Sequence, residues 1–300
     1  DQPRSRWLGD VYKRQVVDDN DMSINHVIRG EDHISNTPKQ ILIYNALNYT
    51  VPNFAHLPMI LGPDKKRLSK RHGAAGIEDF KIQGYSVDAL LNYIVMLGWN
   101  PGSEDELFSL DDMISKFDIN KIQKKGAVYD EKKLHWVAGQ HMFMKSEKSL
   151  LHEIRKEDPN WQKHSKDYYI CNVLALMKIR SKTLIELKDA CIYFFSDPEE
   201  YDEKAILKRW KDKSVNKLII NFINRLEELT SWSQMEIDQA LRDTSQDMAV
   251  SAAKLIHPVR LAVSGRSYGP GLFELLELLG KMNTLRRLRK ALTIFPLKNV

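Results

Sequence analysis

Apolar positions change their rhythm along the chain. Between Val16 and Gly62 short apolar runs alternate with polar loops. VVD (Val16–Asp18) and INHVIR (Ile24–Arg29) read as short strands, and HLPMIL (His56–Leu61) as a further buried one in spite of Pro58. Between them Pro38 opens a helix that Thr37 is placed to cap, with Ile41, Leu42, Tyr44, Ala46 and Leu47 as its apolar surface. Strand, loop, helix, strand is half of a doubly wound α/β fold, in which ligands bind beyond the carboxyl ends of the strands. Two polar segments emerge there, RGEDH (Arg29–His33) and KKRLSKRHG (Lys65–Gly73).

Beyond Gly76 the spacing becomes helical. SVDALLNYIVMLGW (Ser86–Trp99) begins with a Ser suited to an N-cap and carries apolar residues at Ala89, Leu90, Tyr93, Ile94 and Leu97; Gly98 is placed for a left-handed C-terminal cap. SLDDMISKF and DEKKLHWVAGQHM continue with short capped helices to about Met142. From Phe143 no strand-like alternation follows. SVNKLIINFINRLEEL (Ser214–Leu229) puts Val215, Leu218, Ile219, Phe222, Leu226 and Leu229 on one face, and SQMEIDQAL opens on a Ser233/Glu236 capping box. PGLFELLELLG (Pro270–Gly280) is apolar around most of its circumference and is expected at the centre of a bundle; TLRRLRKAL (Thr284–Leu292) joins an apolar stripe to Arg286, Arg287, Arg289 and Lys290. The expected architecture is α/β followed by all-α. It divides into 16–75, the second half of a doubly wound nucleotide-binding fold; 76–142, a small helical connecting domain; and 143–300, a helical bundle.

The first fifteen residues stand apart. They have no apolar period, and DVYKRQ (Asp10–Gln15) resembles a translated sequencing-library adapter, so residues 1–15 are expected to be non-native. Composition narrows the classes further. Lys and Arg exceed Asp and Glu by 45 to 40, a net charge of +5 too small to imply a polyanion partner by itself, so such a partner must be sought in local clusters. Two cysteines far apart argue against a disulfide scaffold or cysteine-rich zinc site and fit a reducing cytoplasm; no apolar stretch has the length of a membrane span.

The two loops carry the candidate chemistry. Lys65–Gly73 packs five cations into nine residues, an arrangement cheapest where solvent or an anion screens it. Read locally it is a solvated basic loop or a nucleic-acid patch. In HVIRGEDH, a strand-end Arg29 precedes Gly30, Glu31 and Asp32; two carboxylates beside an Arg fit hydroxyl or amine recognition, or a simple Arg29–Asp32 ion pair. His26, His33 and His56 fit no standard zinc spacing, and no metal ligand is assigned.

Taken together, HVIRGEDHISNTPKQILIYNAL, FAHLPMILGPDKKRLSKRHGA and YSVDALLNYIVMLGW closely resemble the catalytic half of the glutamyl-tRNA synthetases, class I aminoacyl-tRNA synthetases. FDINKIQKKGAVYDEKKLHWVAGQHM and PVRLAVSGRSYGPGLFELLELLG extend the resemblance over nearly everything after Gln15. RLSKR (Arg67–Arg71) is similar to the KMSKS loop, with Arg67 where the first Lys usually stands and Lys70 matching the second. Charge survives that exchange, but a planar fork replaces a point charge.

The resemblance implies a glutamate–tRNA ligase that uses ATP with Mg2+ and charges the glutamate tRNA, with the glutamine tRNA left open. It implies that Lys70, Arg67 and Ser69 act on the phosphates, that Glu31, Ile60 and Leu61 join Lys70 around ATP, and that Arg29 serves the glutamate pocket. The helical half becomes an anticodon-binding domain, with Arg180, Arg260, Arg266, Arg286 and Arg287 as tRNA contacts and Tyr268 as a base-stacking candidate. A cytoplasmic monomer without zinc in this chain is expected. The HIGH-type ATP motif and the acceptor-stem insertion belong upstream of Val16 in that family, so the 300-residue chain is expected to charge no tRNA and to leave a sheet edge exposed. The alternative is a non-catalytic tRNA-binding module formed by the helical domain.

Overall fold

Val16 and Val17 lie in a helix, α1 (13–21), where the sequence predicts a strand. A computed structural model describes residues 13–68, 76–210 and 213–295. Three apolar-to-acidic residues do not distinguish the two conformations, and tertiary contacts decide. Val16 is fully buried, Tyr44 reaches Asp19 at 3.3 Å, and Gln40 donates to Gln15 at 2.9 Å, so α1 is fastened to the next helix.

Strand β1 (His26–Gly30) pairs in parallel with β2 (Asn53–Leu57), and helix α2 (Thr37–Ala46) makes the crossover that a parallel pair requires. The register sets Val27 opposite Phe54 and Arg29 opposite His56. A 3-10 turn, Glu31–Asn36, leads from β1 into α2. The N-cap is Asn36, with no side-chain hydrogen bond, and not Thr37 as expected; the Thr37 hydroxyl is engaged by Arg29. β2 also starts and stops earlier than the apolar run. Pro58 has no N–H to donate, and beyond it Leu61 pairs through isolated bridges with Arg67 and Val128. Among the described residues the sheet has two strands, and Ile28 is 51% exposed on it.

The remainder of the first compact unit, which ends at Ala138, is helical: α3 (Ile77–Ile82), α4 (Val87–Met96), α5 (Leu110–Lys116) and the first part of α6 (Glu131–Met144). Ser86 and Ser109 cap α4 and α5 as their spacing predicts. Gly98 does not take the left-handed cap: α4 ends at Met96 with Leu97 as its C-cap, and the Gly98 carbonyl accepts from Gln123 N at 2.7 Å as the chain enters the Trp99–Ile122 bridge. Ala89, Tyr93, Tyr129, Leu134, Val137 and Ala138 form the core here.

The second unit starts at Gly139 and is helical throughout its described residues. After the end of α6 come α7 (Glu147–Glu157), α8 (Asp167–Lys178), α9 (Leu184–Phe195), α10 (Glu203–Arg209), α11 (Lys213–Glu228), α12 (Gln234–Asp247), α13 (Ala253–Ser264), α14 (Leu272–Leu279) and α15 (Lys281–Ile294). The expected face of α11 is buried from Val215 to Leu226, and α14 places Leu275 and Leu276 out of solvent in the centre. α13 ends on Gly265 at φ +74°, where a Cβ would stand 2.5 Å from the Glu200 carbonyl oxygen. Among the described residues no helix is long and apolar enough to cross a membrane.

Candidate functional site

In the first unit the strand register carries Arg29 to His56, and the crossover helix supplies the rest of its setting. Arg29 Nη2 donates to Thr37 Oγ1 at 2.8 Å and to Gln40 Oε1 at 2.7 Å, its Nε donates to His56 Nε2 at 3.5 Å, and its guanidinium lies 5.3 Å from the Phe54 ring centroid. Gln40 is 1% exposed, so its amide is fixed before it meets the arginine. His56 Nε2 is also 3.0 Å from Thr37 Oγ1. Burial first, then Arg29 and His33, lower the His56 pKa, and the neutral ring accepts at Nε2 with its proton on Nδ1. Arg29 is thus a pre-oriented fork that does not pair with Asp32, closing that reading of RGED.

The two strand-end segments do meet. Glu31 Oε1 accepts from Met59 N at 3.0 Å, and Asp32 Oδ2 is 3.3 Å from Arg67 Nη2. The segment after β2 is held from the other side, where Leu61 N donates to Ala127 O and Leu61 O accepts from Tyr129 N, both at 2.8 Å. This seam is possible because residue 126 is glycine: a Cβ there would lie 2.8 Å from the Met59 carbonyl oxygen. Ile60, 37% exposed, accepts at its carbonyl from Leu68 N at 2.9 Å. Ser69 and Lys70 lie outside the described residues. Among the described residues no group of three or more His, Cys, Asp and Glu is placed to hold a metal ion.

The second unit has a separate cavity of about 660 Å³, and three of the arginines singled out by the sequence line it: Arg180, Arg260 and Arg266. His257, Tyr193 and Tyr268 line it too, as do Lys182, Glu186 and Asp189, so its wall carries acidic as well as basic groups. Arg266 donates to Asp189 Oδ2 at 2.9 Å and lies 5.9 Å from the Tyr193 ring centroid. Arg260 Nη1 is out of solvent without a hydrogen-bond partner, an unsatisfied charged donor at the cavity wall. A Cβ on Gly269 would approach that nitrogen to 3.1 Å. Tyr268, 70% exposed, stands at the mouth.

Two family profiles match the chain. Residues 13–136 match the catalytic domain of class I tRNA synthetases (E and Q), and residues 142–292 match an anticodon binding domain. The chain is 40% identical over 287 residues to glutamate–tRNA ligase 2 of Caldicellulosiruptor saccharolyticus and 42% identical over 279 residues to glutamate–tRNA ligase 1 of Syntrophomonas wolfei. These alignments cover 94% and 92% of the chain, and 59% and 56% of the relatives. The chain belongs to the family of the anticodon binding domain, whose profile spans half of it. A crystal structure of the glutamate–tRNA ligase of Elizabethkingia meningosepticum in complex with its amino acid superposes with a TM-score of 0.79 at 29% identity, covering 94% of this chain and 59% of that one. The chain therefore spans somewhat over half the length of the glutamate–tRNA ligases it matches.

Within the second unit, the last helix departs from expectation. Arg287 is 2% exposed: its Nη1 donates to the carbonyls of Tyr193 and Val263 at 2.6 Å, its Nη2 to Ser196 O at 2.8 Å, and its Nε to Asp197 Oδ1 at 2.9 Å. A side chain buried in this way, with four of its five N–H donors bound within the fold, is out of reach of a tRNA, so the tRNA assignment of Arg287 is corrected to a structural one. Arg286 is more exposed, but it too binds Asp197, with Nη2 to Oδ1 at 2.8 Å. These ion pairs lower the Asp197 pKa and raise that of Arg286, chiefly through the hydrogen bond between the two residues. Periodicity holds the missed signal: Thr284, Arg287, Leu288 and Ala291 follow the i, i+3, i+4, i+7 stripe that α15 buries. Thr37, Gln40 and His56 were also missed as partners of Arg29. For His56 the signal is the cross-strand register, which appears only once the strands are paired.

Proposed function

We propose that this chain supplies one side of the active site and the anticodon-binding part of a glutamate–tRNA ligase. In the first step the α-carboxylate of glutamate attacks the α-phosphate of ATP, forming the acyl–phosphate bond as the bond to pyrophosphate breaks. In the second, a hydroxyl of the terminal tRNA ribose attacks the acyl carbonyl and AMP leaves. The observation that supports this reading is the meeting of the RGED and KKRL segments through Glu31–Met59 and Asp32–Arg67.

Each residue then has a task. Arg29, held by Thr37 and Gln40, presents a fixed fork to a carboxylate of the amino acid. Glu31, anchored by one oxygen, keeps the other for a ribose hydroxyl or the adenine amine. Ile60 and Leu61 offer an apolar edge to the base. Arg67 and Lys70 neutralise charge on the transferring and leaving phosphates, the largest lever available to a residue in a phosphoryl-transfer site. Ser69 steadies that loop. Magnesium enters with ATP, and no residue of this chain is assigned to it. The substrate tRNA is that of glutamate, with the glutamine tRNA tested beside it, and the working form is a cytoplasmic monomer.

We further propose that the 300-residue chain by itself charges no tRNA, because a two-stranded sheet with Ile28 half exposed walls a nucleotide on one side only. The test is aminoacylation of glutamate tRNA by the purified chain, and by residues 13–300 joined to the preceding part of the Syntrophomonas wolfei ligase. Charging by the joined protein alone is expected. Charging by the isolated chain refutes the inactivity, and charging by neither refutes the catalytic assignment. The arginine cavity favours a second reading, a tRNA-binding module without catalysis, which requires tRNA binding by both proteins and pyrophosphate exchange by neither.

A further inference from the structure

Arginines of the helical unit are mostly matched by acids. Arg155 pairs with Asp167, Arg225 with Asp243 and Asp247, Arg242 with Asp238, and Arg289 with Glu227. Lys208, Arg209 and Lys254 have no such match among the described residues. They are nevertheless gathered together: all three line a cleft of about 200 Å³ between the end of α10 and the start of α13, floored by Val215, Leu218 and Pro258. Lys254, His257 and Arg260 follow one another at i, i+3, i+6 along α13, so this cleft and the arginine cavity border adjoining sides of a single helix. His257 feels both groups, since burial and then Arg209, Arg260 and Lys208 lower its pKa.

Helix electrostatics account for only part of this cluster. Lys208 and Arg209 suit the carboxyl end of α10, whereas Lys254 is the second residue of α13, where the helix dipole disfavours a cation and no acidic side chain stands in the first turn to offset it. Three cations held together with no ion-pair partner among the described residues cost stability, and a bound phosphate relieves that cost. We infer that Lys208, Arg209 and Lys254 form a phosphate track that grips the RNA backbone beside the arginine cavity. The ligand chemistry is the phosphodiester chain, gripped without regard to sequence, while selection of bases belongs to the cavity. The track rests on the anticodon-binding reading given above.

The test is fluorescence anisotropy of the 300-residue chain with labelled glutamate tRNA and with the same tRNA carrying an altered anticodon, over a series of salt concentrations. The triple variant Lys208→Ala, Arg209→Ala, Lys254→Ala should weaken both RNAs to the same extent, about tenfold or more. It should also reduce the slope of log affinity against log salt by about 2, as expected for three phosphate contacts to a single strand. Arg260→Ala should instead narrow the difference between the two RNAs and leave the slope within about 1 of the parent. An unchanged slope in the triple variant, with the parent and Arg260→Ala behaving as stated, overturns the track alone. Absence of binding to either RNA by the parent overturns the anticodon reading and the track with it. The single variant Lys254→Glu, at an exposed position, repeats the slope measurement should the triple variant unfold.

Discussion

Arg29 and Arg287 carry the same charge, and their surroundings give them opposite uses. Arg29 sits at a strand end with its Nη2 tied to Thr37 and Gln40 and its Nε directed at His56, which leaves Nη1 without a hydrogen bond among the described residues. Arg287, almost fully buried, gives four of its five N–H donors to its own fold. Gln40→Ala leaves a buried donor of Arg29 unmatched and is expected to lower stability by about 1–3 kcal/mol in urea denaturation. Arg287→Ala is expected to cost about 3–5 kcal/mol, since it leaves Asp197 to Arg286 alone and strands three backbone carbonyls, while the folded fraction binds tRNA as before. Loss of tRNA affinity without loss of stability in Arg287→Ala would return that residue to the RNA surface. Asp197 adds a pH signature. Its folded pKa lies below the ordinary 3.8, so its contribution is complete well above pH 4 and disappears as pH falls through the lowered value. Urea midpoints measured from pH 6 to pH 3 should fall less steeply in Asp197→Asn, and an equal slope contradicts the ion-pair assignment.

At the scale of elements, the seam that holds the post-β2 segment depends on a close backbone approach at Gly126. Gly126→Ala should force the Met59 carbonyl outward, lower stability by about 1–3 kcal/mol, and speed hydrogen exchange at the Leu61 and Tyr129 amides. Unchanged exchange at those two amides would mean that the seam is not needed to shape the loop. Helices with strong periodicity were the most legible elements: α4 and α12 lie where their apolar stripes and Ser caps put them, and α11 and α14 where their apolar stripes do. Short elements were less so. A run such as Val16–Asp18 is compatible with helix or strand until Val16 finds its buried site, and Pro58 cut a six-residue strand reading back to its overlap with β2 at His56 and Leu57. The two loops were legible as chemistry because their residue types are unusual together, but their partners were not. Glu31 to the Met59 amide and Asp32 to Arg67 are contacts across 28 and 35 positions that only the parallel pairing of β1 and β2 brings within reach.

On the scale of the whole molecule, the proposed function divides between two units. In that proposal the first offers a fork to the amino acid and a loop to the phosphates at the carboxyl ends of its strands, and the second offers unstacked RNA bases a cavity that arginines and tyrosines line. The resemblance legible in five sequence segments is matched by relatives at 40% and 42% identity along almost the whole chain. The catalytic reading turns on Lys70, the cation that follows Arg67 in the loop. ATP–pyrophosphate exchange by residues 13–300 joined to the preceding part of a related ligase, with and without Lys70→Ala, tests it most directly. The exchange rate is predicted to fall by about 100-fold or more with tRNA binding unchanged. Exchange that proceeds at the parent rate would contradict a nucleotide site built from these two loops.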